Sequence, residues 1–231
     1  MKNNPQSPPS QGKDWKLYSD RDNHYWNQNL DYVLSSNHFN GYEFFFKEIY
    51  GWEYSETNCI YEMWDCKLES DHVVVDLGAN VGFFTNLAAK KCKEVIAIDG
   101  GYEVFSCLVE NTKEHENVKY LNASILGKSL EPTNVWSPKH NPLYLQMENV
   151  FKIFNLEKID FLKCDIEGGE YDLLQNLDES ILNKINKIAV EMHDPARNEN
   201  FFIPGKVRHS FYWDVNNNGE YQTMFYFVNQ Q

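Results

Sequence analysis

Two stretches of this chain end apolar runs in residues able to do chemistry. In Ile159-Asp160-Phe161-Leu162-Lys163-Cys164-Asp165-Ile166-Glu167-Gly168-Gly169-Glu170 a strand-like run gives way to three carboxylates, with two glycines among them. In Ile188-Ala189-Val190-Glu191-Met192-His193 a second run closes on an acid and a histidine. Like charges gathered at one edge of a sheet are costly unless they meet cations, hydrogen-bond donors or a metal. His193 is the expected general base, because an unperturbed imidazole titrates near neutrality and can take the proton of a hydroxyl. Asp165, Glu167 and Glu191 are the other expected catalytic residues, and Glu170 suits the N-terminus of the next helix. A magnesium ion between Asp165 and Glu191 fits the oxygen donors. Sequence alone nevertheless assigns no metal here.

A third motif lies upstream, Val73-Val74-Val75-Asp76-Leu77-Gly78-Ala79-Asn80-Val81-Gly82-Phe83-Phe84. A β-branched run enters a turn with two glycines and leaves it in a helical pattern, so a ligand is expected at the carboxyl end of the strand. The turn lacks the central glycine of G-x-G-x-x-G, and Asp76 would repel a pyrophosphate. An acid suits a ligand carrying an ammonium group, as S-adenosylmethionine (SAM) does. Asp76, Gly78, Asn80 and Gly82 are therefore expected to bind SAM. Asp99, at the end of the next β-branched run, is expected to accept its ribose hydroxyls, and Ser124 to reach the adenine edge. Asp165 is expected to line the amino-acid end while orienting the acceptor.

Positioning these groups calls for alternating strands and helices. Strand patterns cover His72–Asp76, Glu94–Ile98, Val118–Asn122, Ile159–Lys163 and Lys187–Met192, and helical patterns cover Phe84–Lys91, Tyr102–His115 and Tyr171–Leu182. Two further strand patterns, His209–Val215 and Gln222–Val228, flank Asn216-Asn217-Asn218-Gly219, a hairpin signal. The fold class is α/β: a doubly wound, mostly parallel seven-stranded sheet of the Rossmann-like methyltransferase type, ending in an antiparallel hairpin. Residues 1–14 read as a disordered polar tail and 15–70 as an aromatic-rich helical extension or cap, with Tyr42–Tyr50 spaced like a helix. Residues 71–231 form the SAM-binding domain, in which 127–157 is the least regular stretch.

With 34 acidic against 21 basic residues the formal charge is −13, which disfavours nucleic acid and anionic membranes as partners. Five scattered cysteines without a CxxC pair suit a reducing compartment, and no signal-like or membrane-spanning run appears, so the expectation is a cytoplasmic protein. Asp214-x-Asn216-x-Asn218-Gly219 opens like an EF-hand loop but offers Phe225 where a bidentate Glu is needed.

The turn Asp76-x-Gly78-Ala79-Asn80-x-Gly82, the element Asp165-x-Glu167-Gly-x-Glu170 and the pair Glu191-x-His193 resemble the FkbM family of SAM-dependent methyltransferases, over about residues 70–193. The family carries Glu-Pro where this chain has Asp99-Gly100. The resemblance implies methyl transfer to oxygen on a sugar, glycan or other small molecule. Two rivals stand beside it: an RNA methyltransferase, against which the net charge argues, and a non-catalytic SAM-binding scaffold, against which the intact glycines and acids argue.

Overall fold

The computed structural model describes residues 59–128, 143–193, 201–214 and 221–229, plus the backbone of three short strands near the N-terminus. Those strands, β1 (Leu17–Ser19), β2 (His24–Asn27) and β3 (Tyr32–Ser35), pair antiparallel in a sheet of their own. They lie in the stretch for which sequence suggests a helical extension or cap. The polar tail and the helical spacing at Tyr42–Tyr50 fall outside the described residues.

The main sheet contains β4 (Val73–Leu77), β5 (Glu94–Asp99), β6 (Val118–Ile125), β7 (Leu143–Leu145), β8 (Ile159–Cys164), β9 (Ile185–Met192), β10 (Lys206–Asp214) and β11 (Tyr221–Asn229). Their order is β10-β11-β9-β8-β4-β5-β6-β7. Every pairing from β9 to β7 is parallel, whereas β11 runs antiparallel to both β9 and β10. The expected architecture is present, with one strand added at the edge. That strand, β7, and the helix after it, α3 (Met147–Ile153), arise from the part of 127–157 where no regular element is expected. The other helices are α1 (Phe83–Lys91), α2 (Tyr102–Thr112), α4 (Glu170–Gln175) and α5 (Glu179–Leu182). The last two replace the single helix expected over Tyr171–Leu182, because the chain turns at Asn176-Leu177-Asp178.

The two faces of the sheet carry separate cores. Val74, Ala97, Phe161 and Ala189 face α1 and α2 together with Tyr61, while Val75, Ile96, Leu162 and Val190 face α3, α4 and α5. All six residues of β8 are buried, as a central parallel strand covered on both sides requires. Each buried large side chain contributes about 1.5–3 kcal/mol, so the two layers hold the sheet firmly enough to fix its edge. Among the described residues no helix is long and apolar enough to cross a membrane.

Register then aligns the carboxyl ends. Leu77 pairs with Ile98 on one side and with Cys164 on the other, and Cys164 pairs with Val190. The next step along the chain therefore brings Gly78, Asp99, Asp165 and Glu191 to one edge. Side chains alternate between faces along a strand. The spacings 74/76, 97/99, 161/163/165 and 189/191 accordingly put the acids and Lys163 on the face that carries α1 and Tyr61.

Candidate active site

The turn after β4 is held by its neighbours before any ligand is considered. Gly78 (φ +71°) and Ala79 both donate their N–H to the Ile98 carbonyl, at 3.0 and 3.1 Å. A Cβ on Gly78 would sit 1.6 Å from the Asp165 carbonyl oxygen, and one on Gly82 (φ +95°) would press on Leu108 and Thr112 of α2. Sequence suggests that these glycines make room for a ligand; in the structure both make room for protein. Asn80 also takes a positive φ, 49°. Its N–H donates to Asp99 Oδ2 at 2.8 Å, and Gly101 N–H donates to Asp99 Oδ1 at 2.7 Å. Each oxygen of Asp99 keeps a lone pair for a hydroxyl. Burial pushes the Asp99 carboxyl up to about 6, against the pull of those two N–H donors.

Ser124 lies against Gly100, where a Cβ would come within 2.2 Å of its hydroxyl oxygen. The Asp99-Gly100 departure from the family's Glu-Pro thus has a local reason: a side chain at residue 100 would force the Ser124 hydroxyl to turn away. Ser124 therefore stands against Gly100, the residue after Asp99, at the edge.

Asp76 needs a different reading. Its side chain is 0% exposed, its Oδ2 accepts the Thr85 hydroxyl at 2.6 Å, and its Oδ1 faces Lys163 Nζ at 3.3 Å. The ammonium expected beside it thus belongs to the protein, and Asp76 leaves the set of cofactor contacts. Burial raises its pKa, with Lys163 pulling the other way.

Lys163 escapes the sequence-based assignment. Its ammonium donates to the Gly78 carbonyl at 2.6 Å, lies 3.5 Å from Asp165 Oδ2 and sits over the Tyr61 ring at 5.2 Å. One buried cation thus ties the glycine turn to the end of β8. The signal was a lysine inside the otherwise apolar run Phe161–Cys164. Tyr61, whose hydroxyl donates to Asp165 Oδ2 at 3.0 Å, gave no local signal, because its partner is 104 residues away.

Across from the turn, the acids gather around His193. Glu170 accepts the N–H groups of Ile166 and Gly168 at 3.0 Å and bonds His193 Nδ1 at 3.0 Å. It caps the loop before α4, close to the expected helix-terminal role, and fixes the imidazole besides. His193 Nε2 faces Glu167 Oε2 at 3.6 Å, Asp165 Oδ1 at 3.8 Å and Glu191 Oε1 at 3.9 Å. Burial alone would lower the His193 pKa. The Glu170 hydrogen bond and the charges of Glu170, Asp165 and Glu191 outweigh it and push the group up to about 10. The general-base assignment loses its premise, because among these carboxylates the resting imidazole already carries its proton at neutral pH. Burial, reinforced by Asp165, lifts Glu191 to about 8. Asp165, Glu167, Glu191 and His193 are thus brought together as expected, while the roles within the group change.

The same stretch of chain carries the match to known proteins. A family model described as the methyltransferase FkbM domain covers residues 76–222. The chain belongs to the FkbM methyltransferase family. Its FkbM domain opens at Asp76 and runs to the start of β11, taking in every site residue described above except Tyr61, which lies upstream. Methyltransferase 1 of Beauveria bassiana is 25% identical over 164 residues, 54% of this chain and 66% of that protein. Ribosomal RNA small subunit methyltransferase A of Streptococcus thermophilus is 24% identical over 103 residues, 44% of this chain and 36% of that protein. The chain thus spans less than two thirds of the length of either relative. Among solved structures, an rRNA methylase from Streptococcus thermophilus aligns at a TM-score of 0.48 and 14% identity, covering 71% of this chain and 90% of its own. A putative methyltransferase from Streptococcus mutans, in complex with SAH, aligns at 0.48 and 10%, covering 70% and 90%.

Proposed function

We propose that this FkbM domain binds SAM and transfers its methyl group to a hydroxyl of a sugar, glycan or other small molecule. The observation that carries the reading is the Asp99 carboxylate, fastened to the glycine turn by the Asn80 N–H at 2.8 Å with lone pairs left over for a ribose. Gly78, Asn80 and Gly82 shape the turn, Ser124 flanks it, and Asp165 lies at the junction of cofactor and acceptor.

Methyl transfer from a sulfonium is an in-line displacement, in which alignment of the two reacting atoms can supply roughly 7–11 kcal/mol. The methyl–sulfur bond breaks as the oxygen–methyl bond forms, and the hydroxyl proton must leave. Asp165 is the group set against that hydroxyl. Tyr61 holds its Oδ2 at 3.0 Å, which leaves Oδ1 to accept the proton. A positioned base of this kind contributes about 10²–10⁴-fold.

The acidic edge supports a neutral, hydroxyl-rich acceptor over a polyanion, since Glu167 and Asp165 would repel phosphates at short range. Nucleic acid is therefore not the proposed substrate, and a cytoplasmic, membrane-free setting remains part of the same proposal. The test follows the methyl group of labelled SAM into a panel of glycans and polyols, with an RNA arm. Transfer to a hydroxyl compound that drops about 10²-fold or more in Asp165→Asn supports the reading. Transfer to RNA alone, or an undiminished rate in the variant, overturns it.

A further inference from the structure

Trp64 stands in a conformation that its side chain disfavours. Its φ is +51°, and the other non-glycine residues with positive φ among the described residues are Asn80, Asn155 and Glu167. Asparagine visits that region readily, whereas a bulky aromatic residue there is an outlier of the kind that gathers at ligand-contacting turns. The strain does not bury the ring. Trp64 is 42% exposed, although Cys59, Tyr61 and Cys66 around it are buried. Hydrogen bonds fix the turn, from the Glu62 N–H to the Cys59 carbonyl at 2.9 Å and from the Cys66 N–H to the Met63 carbonyl at 3.0 Å. The Tyr226 hydroxyl donates to the Ile60 carbonyl at 2.5 Å, and Lys91 holds Glu62 at 2.6 Å.

Two rings of the sheet back the indole. It stacks on His209 with centroids 5.4 Å apart and planes 13° from parallel, and it meets Tyr226 edge-on at 5.0 Å. Register places this platform on the face that carries the candidate site. Asp76 pairs with Lys163, Lys163 with Ala189, Ala189 with Tyr226 and Tyr226 with His209, in one row across β4, β8, β9, β11 and β10. At about 4.7–4.9 Å per strand, Tyr226 and His209 lie roughly 10–15 Å from Lys163, and Asp165 follows Lys163 by two residues on the same face. One sugar ring cannot reach both Asp165 and the platform; a short oligosaccharide can.

The chemistry of the platform selects the same ligand. An indole presents a negative π-face to the C–H groups of a pyranose, and the exposed Asp65 beside it offers oxygens to hydroxyls. Val207, 41% exposed and two residues before His209 on the same face, adds one more apolar side chain. Together these expose far less than the about 800 Å² per partner that a stable protein interface buries. We infer that Trp64, stacked on His209, is a sugar-binding platform for a neutral oligosaccharide whose reacting hydroxyl lies at Asp165. The inference deepens the methyl-transfer reading, on which its choice of acceptor rests: among sugar, glycan and other small molecule it selects the oligosaccharide.

The experiment probes an array of neutral mono- and oligosaccharides with the labelled full chain, without SAM, and titrates the retained sugars by calorimetry. At least one oligosaccharide should bind the wild type, with affinity about tenfold lower in Trp64→Gly and within about threefold in Trp64→Phe. Glycine takes a positive φ without strain, so Trp64→Gly deletes the ring and keeps the fold, as its SAM affinity and melting temperature should show. Where the oligosaccharide is methylated, Trp64→Gly should raise KM and leave kcat within about twofold. An array on which the wild type retains no oligosaccharide, equal affinity in Trp64→Gly, or a wild-type dimer that this variant dissolves overturns the inference. Trp64-dependent sugar binding without methyl transfer would remove the methyl-transfer reading and leave the platform standing; methyl transfer to an oligosaccharide indifferent to Trp64 would do the reverse.

Discussion

The two halves of the sheet edge treat their carboxylates in opposite ways. On the β4–β5 side Asp99 has a backbone N–H on each oxygen, at 2.7 and 2.8 Å, and the glycines around it fit against neighbouring backbone and side chains. On the β8–β9 side Asp165, Glu167 and Glu191 approach His193 only to 3.6–3.9 Å. The first half is complete in itself. The second is a concentration of charge that protein groups only partly compensate. A cofactor common to many reactions can be met by a rigid backbone cradle, whereas chemistry on an acceptor needs groups whose charge is still available.

Lys163 joins the halves, and removing it should have the largest effect. Lys163→Met strips the buried Asp76 of its cation and frees the Gly78 carbonyl. Breaking one partner from a buried ion pair costs about 3–5 kcal/mol, measurable by denaturant unfolding. SAM affinity should fall with it, since the glycine turn loses its tie to β8. Unchanged stability would mean that the turn stands without the lysine, and the two halves would then be independent.

A smaller effect sharpens the contrast through pH. With its carboxyl pushed up to about 6, Asp99 gains a proton as pH falls through that value and loses acceptor capacity. SAM affinity should therefore be full above pH 7 and drop about tenfold by pH 5. In Asp99→Asn calorimetry should find the profile flat over this range. A profile that persists in the variant would assign the titration to the other half of the edge.

Much of this was legible in the sequence because it is local. β-Branched runs ending in Asp76, Asp99 and Glu191 mark buried parallel strands, and an Asn-Gly turn marks the hairpin, whose Asp214 pairs with Tyr221. What was not legible depends on partners far along the chain. The burial of Asp76 follows from Lys163, 87 residues on; the proton on His193 follows from Asp165 just after β8, Glu170 at the start of α4 and Glu191 in β9. The helix break at residues 176–178 and the β7–α3 pair were hidden for a different reason. Their elements are short, three residues in β7, four in α5 and seven in α3, and carry too little periodicity to stand out.

The decisive measurement is calorimetry of SAM with the wild-type chain and with Asp99→Ala. Hydrogen bonds to a charged acceptor contribute roughly 1.5–3 kcal/mol each, so loss of both ribose contacts should weaken binding by about 10²-fold or more. Saturable binding in the wild type with that loss in the variant is the expected result. Equal affinity in the two proteins would contradict the ribose-binding role of Asp99 and, with it, the site built around the glycine turn.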